Sequence, residues 1–120
     1  MTGKSEKIIV YEKPTCTKCR EVNKMLQAKG IEFEKINYYD HPIGEQKLRE
    51  LIEKMKISPK EMIRKTESIY KKLQLSKGSP TDDDLIRLMA KYPDLMQRPI
   101  VVRGAKAVLG RPTENVEKLL

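Results

Sequence analysis

The sequence predicts an α/β fold in which a βαβ unit is followed by a block of helices, a β-hairpin and a closing helix. Three observations carry this reading. Ile8-Ile9-Val10-Tyr11 is a short β-branched and aromatic run, as a buried strand requires. Val22, Met25 and Leu26 then recur at helical spacing. Towards the C-terminus, Ile100-Val101-Val102 and Ala107-Val108-Leu109 are two apolar runs joined by Arg103-Gly104-Ala105-Lys106, which is a hairpin pattern.

Taken in order, Lys7 to Tyr11 forms the first strand, and Glu12, Lys13 and Pro14 lead into the two cysteines. The first helix runs from about Cys16 to Lys29, with Gly30 as its terminator. Ile31 to Asn37 alternates imperfectly and reads as a second strand. Tyr38 to Pro42 is a loop, in which His41 caps or faces water and does not catalyse. From Gly44 a helix presents Leu48, Leu51, Ile52 and Met55 on one side. Ser58-Pro59 with Glu61 is an N-cap with proline at the first helical position, so a short helix starts there and carries Met62, Ile63 and Arg64. A further helical turn surrounds Tyr70 and Leu73. Gly78-Ser79-Pro80 is a loop, and Thr81 or Asp82 opens a helix that stops near Tyr92-Pro93. Thr113 caps a final helix to Leu120. The order βαβ, helices, ββ, α is the thioredoxin and glutaredoxin arrangement. Residues 1–120 therefore read as one such domain with a helical insert over about 44–96.

Composition narrows the function classes. Charged residues are 35% of the 120-residue chain and hydrophobic ones 38%, the balance of a water-soluble domain with one core. The stretch Met1 to Lys7 lacks the apolar segment of a signal peptide and no apolar run reaches membrane-spanning length, so a cytoplasmic protein without a membrane partner is expected. The formal charge of +8 favours anions in general. Nucleic acid is disfavoured, because the lysines are scattered, there is no Trp and only one Phe, and no basic arm or aromatic platform exists.

The chemistry concentrates in Pro14-Thr15-Cys16-Thr17-Lys18-Cys19-Arg20, which holds both cysteines at the join of a strand and a helix. A CxxC pair there reads as a thioredoxin-like redox motif. First-turn N–H groups and the positive end of the helix dipole favour a thiolate, and Lys18 and Arg20 add charge. The gain is large: a thiol of pKa about 8.5 is roughly 3% ionised at pH 7, and one of pKa about 6.5 roughly three-quarters. Cys16 is the expected nucleophile, accessible where loop meets helix, with Cys19 one turn deeper and able to close a disulfide with it. No metal site is expected, since one CxxC is half a zinc site and the only histidine is His41. The plain alternative is a pair of buried, unreactive cysteines.

With the cysteine loop, the helical insert and Arg98-Pro99-Ile100-Val101-Val102 in view, nearly the whole chain resembles the glutaredoxin- and glutathione-linked arsenate reductase (ArsC-like) family. That family shares its fold and ancestry with Spx-type transcription regulators. The resemblance implies that Cys16 attacks arsenate or a similar oxyanion. It further implies that Arg64 (in Ile63-Arg64-Lys65), Arg98 (in Gln97-Arg98-Pro99) and Arg111 (in Gly110-Arg111-Pro112) hold the anion, with Thr15, Arg20 and a cis Pro99 in support. It implies no bound cofactor, glutathione as co-substrate, and glutaredoxin or thioredoxin as protein partner. Guanidinium forks suit this task because they bind oxyanions bidentately.

Two positions depart from the family pattern. Glu12 stands where its enzymes commonly carry a histidine, replacing a positive neighbour of the nucleophile by a negative one. Cys19 stands where they carry a serine, and the CxxC itself resembles the regulators. Gly110-Arg111-Pro112 matches the enzymes. Arsenate reduction is therefore the primary expectation, with Cys19 offering an internal disulfide as a second route. The alternatives are an Spx-type regulator that docks on RNA polymerase through a CxxC switch, or a general disulfide reductase.

Overall fold

A computed structural model describes residues 7–13, 15–75, 77–78 and 80–120. The N-terminal six residues, Pro14 of the cysteine loop and Ser79 of the predicted loop at 78–80 lie outside the described residues. The chain divides into two compact units, one of residues Met1–His41 and Arg98–Leu120, the other of Pro42–Gln97.

The first unit is built on four strands in the order β2-β1-β3-β4: β1 (Ile8–Glu12), β2 (Phe33–Asn37), β3 (Ile100–Arg103) and β4 (Lys106–Leu109). β1 runs parallel to β2, with Ile8 opposite Phe33, and antiparallel to β3, with Val10 opposite Val101. β3 and β4 form the antiparallel hairpin. This is the thioredoxin-like arrangement the sequence predicts. β1 lies inside the sheet, which is why its centre is continuously apolar. Helix α1 (Thr17–Ala28) lays Val22 and Leu26 on Ile8, Val10 and Val101, and Val116 and Leu119 complete the core.

The end of α1 explains where β2 begins. Gly30 takes a left-handed φ of 70°, its N–H donates to the Gln27 carbonyl, and the Ile31 N–H donates to that of Leu26. This paired closure spends Ile31 on the helix end. β2 therefore starts at Phe33, two residues later than the alternation suggests.

The chain after β4 departs further from expectation. Thr113–Leu119 is a 3-10 helix and not an α-helix, and Pro112, not Thr113, occupies the N-cap position. The Thr113 hydroxyl donates instead to Glu21 Oε1 at 3.1 Å, so it is not available as a cap. Asn115 Nδ2 ties the turn down by donating to the Leu109 and Arg111 carbonyls.

The second unit comprises α2 (Glu45–Met55), α3 (Pro59–Met62), α4 (Ser68–Lys72), α5 (Asp82–Lys91) and a 3-10 turn at Pro93–Leu95. Leu48, Leu51 and Ile52 of α2 are buried, as are Met62 of α3 and Leu85, Ile86 and Met89 of α5. Ser58 with Glu61 and Thr81 with Asp84 form reciprocal capping boxes at the starts of α3 and α5. Helix α3 stops at Met62, whereas the sequence carries it through Arg64. Ile63 turns extended and bridges Met96, and the Arg64 N–H donates to the Leu95 carbonyl at 2.7 Å. Among the described residues no helix is long and apolar enough to cross a membrane.

Candidate active site

β1 delivers the chain to the cysteine loop, and Cys16 becomes the N-cap residue of α1, with extended backbone angles. Its N–H donates to the Lys13 carbonyl at 3.0 Å, and its own carbonyl accepts the first helical bond, from Arg20. A cap residue normally offers a side-chain oxygen to the free N–H groups of the first turn. Here sulfur does so, and the Cys19 N–H donates to Cys16 Sγ at 3.3 Å. Both cysteines are free thiols.

The two sulfurs are driven in opposite directions. For Cys16, burial favours the thiol. The side-chain and backbone hydrogen bonds from Cys19, the Arg98 charge and the Lys18 backbone N–H outweigh it and hold the pKa below its ordinary value. Burial and the thiol's own bond to Cys16 push Cys19 up to about 12, with smaller contributions from the charges of Cys16 and Glu12. At neutral pH Cys19 is a protonated donor and Cys16 the better acceptor. Cys16 is nevertheless only 7% exposed, less open than the loop position suggests.

The flanking charges act differently from the sequence expectation. Lys18 supports Cys16 through its backbone, while its ammonium pairs with Glu21 at 3.4 Å. Arg20 is exposed and donates to Thr17 Oγ1 at 3.5 Å, and Thr15 is exposed as well. The guanidinium that bears on Cys16 comes from Arg98, far along the chain and 7% exposed. Glu12, in the histidine position, is also buried, and Asn23 Nδ2 donates to its Oε1 at 2.9 Å. Its charge weighs on Cys19.

Arg98 and Arg111 are fastened to each other's backbone neighbourhood. The Arg98–Pro99 peptide is cis, as the resemblance implies, and so is Arg111–Pro112. Arg111 Nε donates to the Arg98 carbonyl at 2.8 Å, and the Gly110 N–H donates to the Pro99 carbonyl at 2.9 Å. The bond from Arg111 engages Nε, so the Nη donors of the fork take no part in it. Gly110 has no substitute here: a Cβ would lie 2.9 Å from both Pro99 Cγ and Val22 Cγ2. The two arginines and the cysteine helix are thus held by one close-packed junction.

Arg64 belongs to the other unit. Its Nε donates to Glu67 Oε2 at 3.1 Å in a partly buried ion pair. A cavity of about 800 Å³ in that unit is lined by Lys60, Ile63, Lys65, Tyr70 and Leu85 among others, and by neither cysteine.

One residue near the cysteines escapes sequence reasoning. Tyr38, which the sequence places in a loop, is 1% exposed. Burial pushes its phenol pKa well up, and Arg98 opposes the shift. The only sequence signal is an aromatic pair directly after a strand.

Residues 11–119 match the model of the ArsC family. The chain is 36% identical over 117 residues to the uncharacterized protein YfgD of Escherichia coli K12, covering 97% of this chain and 98% of that one. It is 35% identical over 114 residues to an arsenate reductase of Neisseria meningitidis, covering 94% and 97%. Among solved structures, an arsenate reductase from Vibrio cholerae superimposes with a TM-score of 0.90 at 34% identity, covering 96% of this chain and 98% of its own.

Proposed function

This chain belongs to the ArsC family, and on that premise we propose that it reduces arsenate to arsenite through a covalent adduct on Cys16. The observation that carries the proposal is a sulfur used as a helix cap, its pKa lowered, with the buried guanidinium of Arg98 bearing on it.

The Cys16 thiolate attacks arsenic, an S–As bond forms, and one arsenate oxygen leaves as water after taking up a proton. Arg98 and Arg111 neutralise the oxyanion, with Arg64 as the third arginine on the strength of the family resemblance. An external thiol of the glutathione class then attacks the Cys16 sulfur. The S–As electron pair passes to arsenic, taking it from the pentavalent to the trivalent state, and leaves a mixed disulfide for glutaredoxin to reduce. Cys19 offers a second route, attacking the same sulfur to close a Cys16–Cys19 disulfide that thioredoxin or glutaredoxin would open. Full turnover by Cys19→Ser with glutathione and glutaredoxin eliminates that route.

The test is arsenate-dependent oxidation of a nicotinamide-coupled glutathione and glutaredoxin system, run beside a thioredoxin system. Turnover with either donor supports arsenate reduction, and turnover with thioredoxin alone points to the internal disulfide. Absence of turnover with both overturns the reading.

The CxxC favours one rival, a redox-sensing regulator of the Spx type. Arg111→Ala separates the two: the enzyme loses arsenate turnover by about 100-fold, the scale of one lost oxyanion donor, whereas a regulator has no need of that guanidinium.

A further inference from the structure

The buried phenol of Tyr38 is not accounted for by the mechanism above. Its backbone is fixed directly after β2, where the Tyr38 N–H donates to the Glu12 carbonyl at 3.3 Å. Its ring stacks obliquely on Tyr39, with centroids 5.1 Å apart. The hydroxyl is sealed from solvent; the Arg98 guanidinium bears on its oxygen as a donor, and the phenolic proton meets no acceptor among the described residues. Buried hydroxyls left in that condition are costly, and native proteins keep few of them without a purpose.

The surroundings specify what is missing. Arg98 and the sulfurs of Cys16 and Cys19 are the groups whose charges reach the phenol. A guanidinium has only donors, so it cannot accept the phenolic proton. Cys16 Sγ already accepts from the Cys19 N–H. The missing partner is therefore an acceptor, and the neighbouring guanidinium favours a negative one.

We propose that Tyr38 is a substrate-binding residue whose hydroxyl donates a hydrogen bond to one oxygen of the tetrahedral oxyanion held beside Cys16 and Arg98. The inference rests on the oxyanion reading of this site given above. Its role is donation and not proton transfer, because burial keeps the phenol protonated far above neutrality. A neutral, directional donor complements the arginines, which supply charge.

Tyr38→Phe deletes the hydroxyl and keeps the ring. The experiment measures how much arsenate protects Cys16 from alkylation by iodoacetamide, together with arsenate KM, the pH titration of the unliganded Cys16 thiolate, and Tm. The expected result is that the variant needs at least tenfold more arsenate for half-protection and shows at least a tenfold higher KM. Its unliganded Cys16 titration stays that of wild type, and Tm stays or rises. Equal protection of variant and wild type overturns the proposal for Tyr38 alone. A shifted Cys16 titration with a fall in Tm overturns it in favour of a structural role. Failure of arsenate to protect even the wild type overturns this proposal together with the oxyanion reading it rests on.

Discussion

The two units handle charge in opposite ways. In the helical unit, residues 42–97, charges lie mostly at the surface: Arg49 pairs with Asp83 at 2.8 Å and Arg87 with Asp84 at 3.2 Å, all four side chains at least 43% exposed. In the sheet unit, Glu12 and Arg98 are buried, and each has a named electrostatic consequence for a cysteine. Exposed pairs contribute little to stability because water and salt screen them. Buried charge carries a desolvation cost, so its presence marks a place where the fold serves something other than its own stability. By that criterion the sheet unit suits the proposed reactive centre, and the partly buried Arg64–Glu67 pair is the nearest counterpart in the helical one.

The largest effect should come from breaking the asymmetry at its centre. Cys16→Ser is expected to lower arsenate turnover by at least three orders of magnitude, since it removes the proposed nucleophile and leaves only Cys19, a thiol with its pKa pushed up to about 12. The pH dependence of alkylation sharpens the point. With its pKa held below the ordinary thiol value, Cys16 should react with iodoacetamide at lower pH than an ordinary thiol does, and slow as pH falls through that lowered value. Cys19, pushed up to about 12, should stay inert until strongly alkaline pH. Mass spectrometry of the two labelled positions decides, and equal labelling at pH 7 would remove the distinction between them.

A smaller effect tests the junction. Gly110→Ala forces a Cβ against Pro99 and Val22, and should cost about 1–3 kcal/mol. Thermal unfolding reads this as a loss of several degrees. Turnover should fall as well, because Arg98 and Arg111 both hang on this packing. The smallest effect belongs to the helical unit's surface. Arg49→Ala should change stability by less than about 0.5 kcal/mol and leave turnover unchanged.

The parts of this protein that sequence reveals are those fixed by neighbours in the chain. Gly30 announces the end of α1, and Ser58-Pro59 with Glu61 announces the start of α3, because both signals act within one helical turn. The cysteine pair is equally local, and its placement at a strand-to-helix join follows from the flanking patterns. Distance in sequence hides the rest. Nothing near Arg98 says that its side chain is buried, or that Arg111 Nε donates to its carbonyl from thirteen residues away. The Asn23 bond to Glu12 spans eleven residues, so the carboxylate's attachment could not be read from the loop. Arg64 was misplaced on a helix because the bridge that ends α3 is made with Met96, beyond any local window. The burial of Tyr38 is decided by tertiary packing, which its loop position does not announce.

The sulfur that caps α1 also makes the helix a gauge of its own chemistry. The Cys19 amide rests on the electron density of Cys16, and any group that bonds covalently to that sulfur withdraws it. Exchange of the Cys19 amide with deuterated solvent should accelerate whenever Cys16 is derivatised and slow again on its release, reporting site occupancy from the backbone without any probe attached to the substrate.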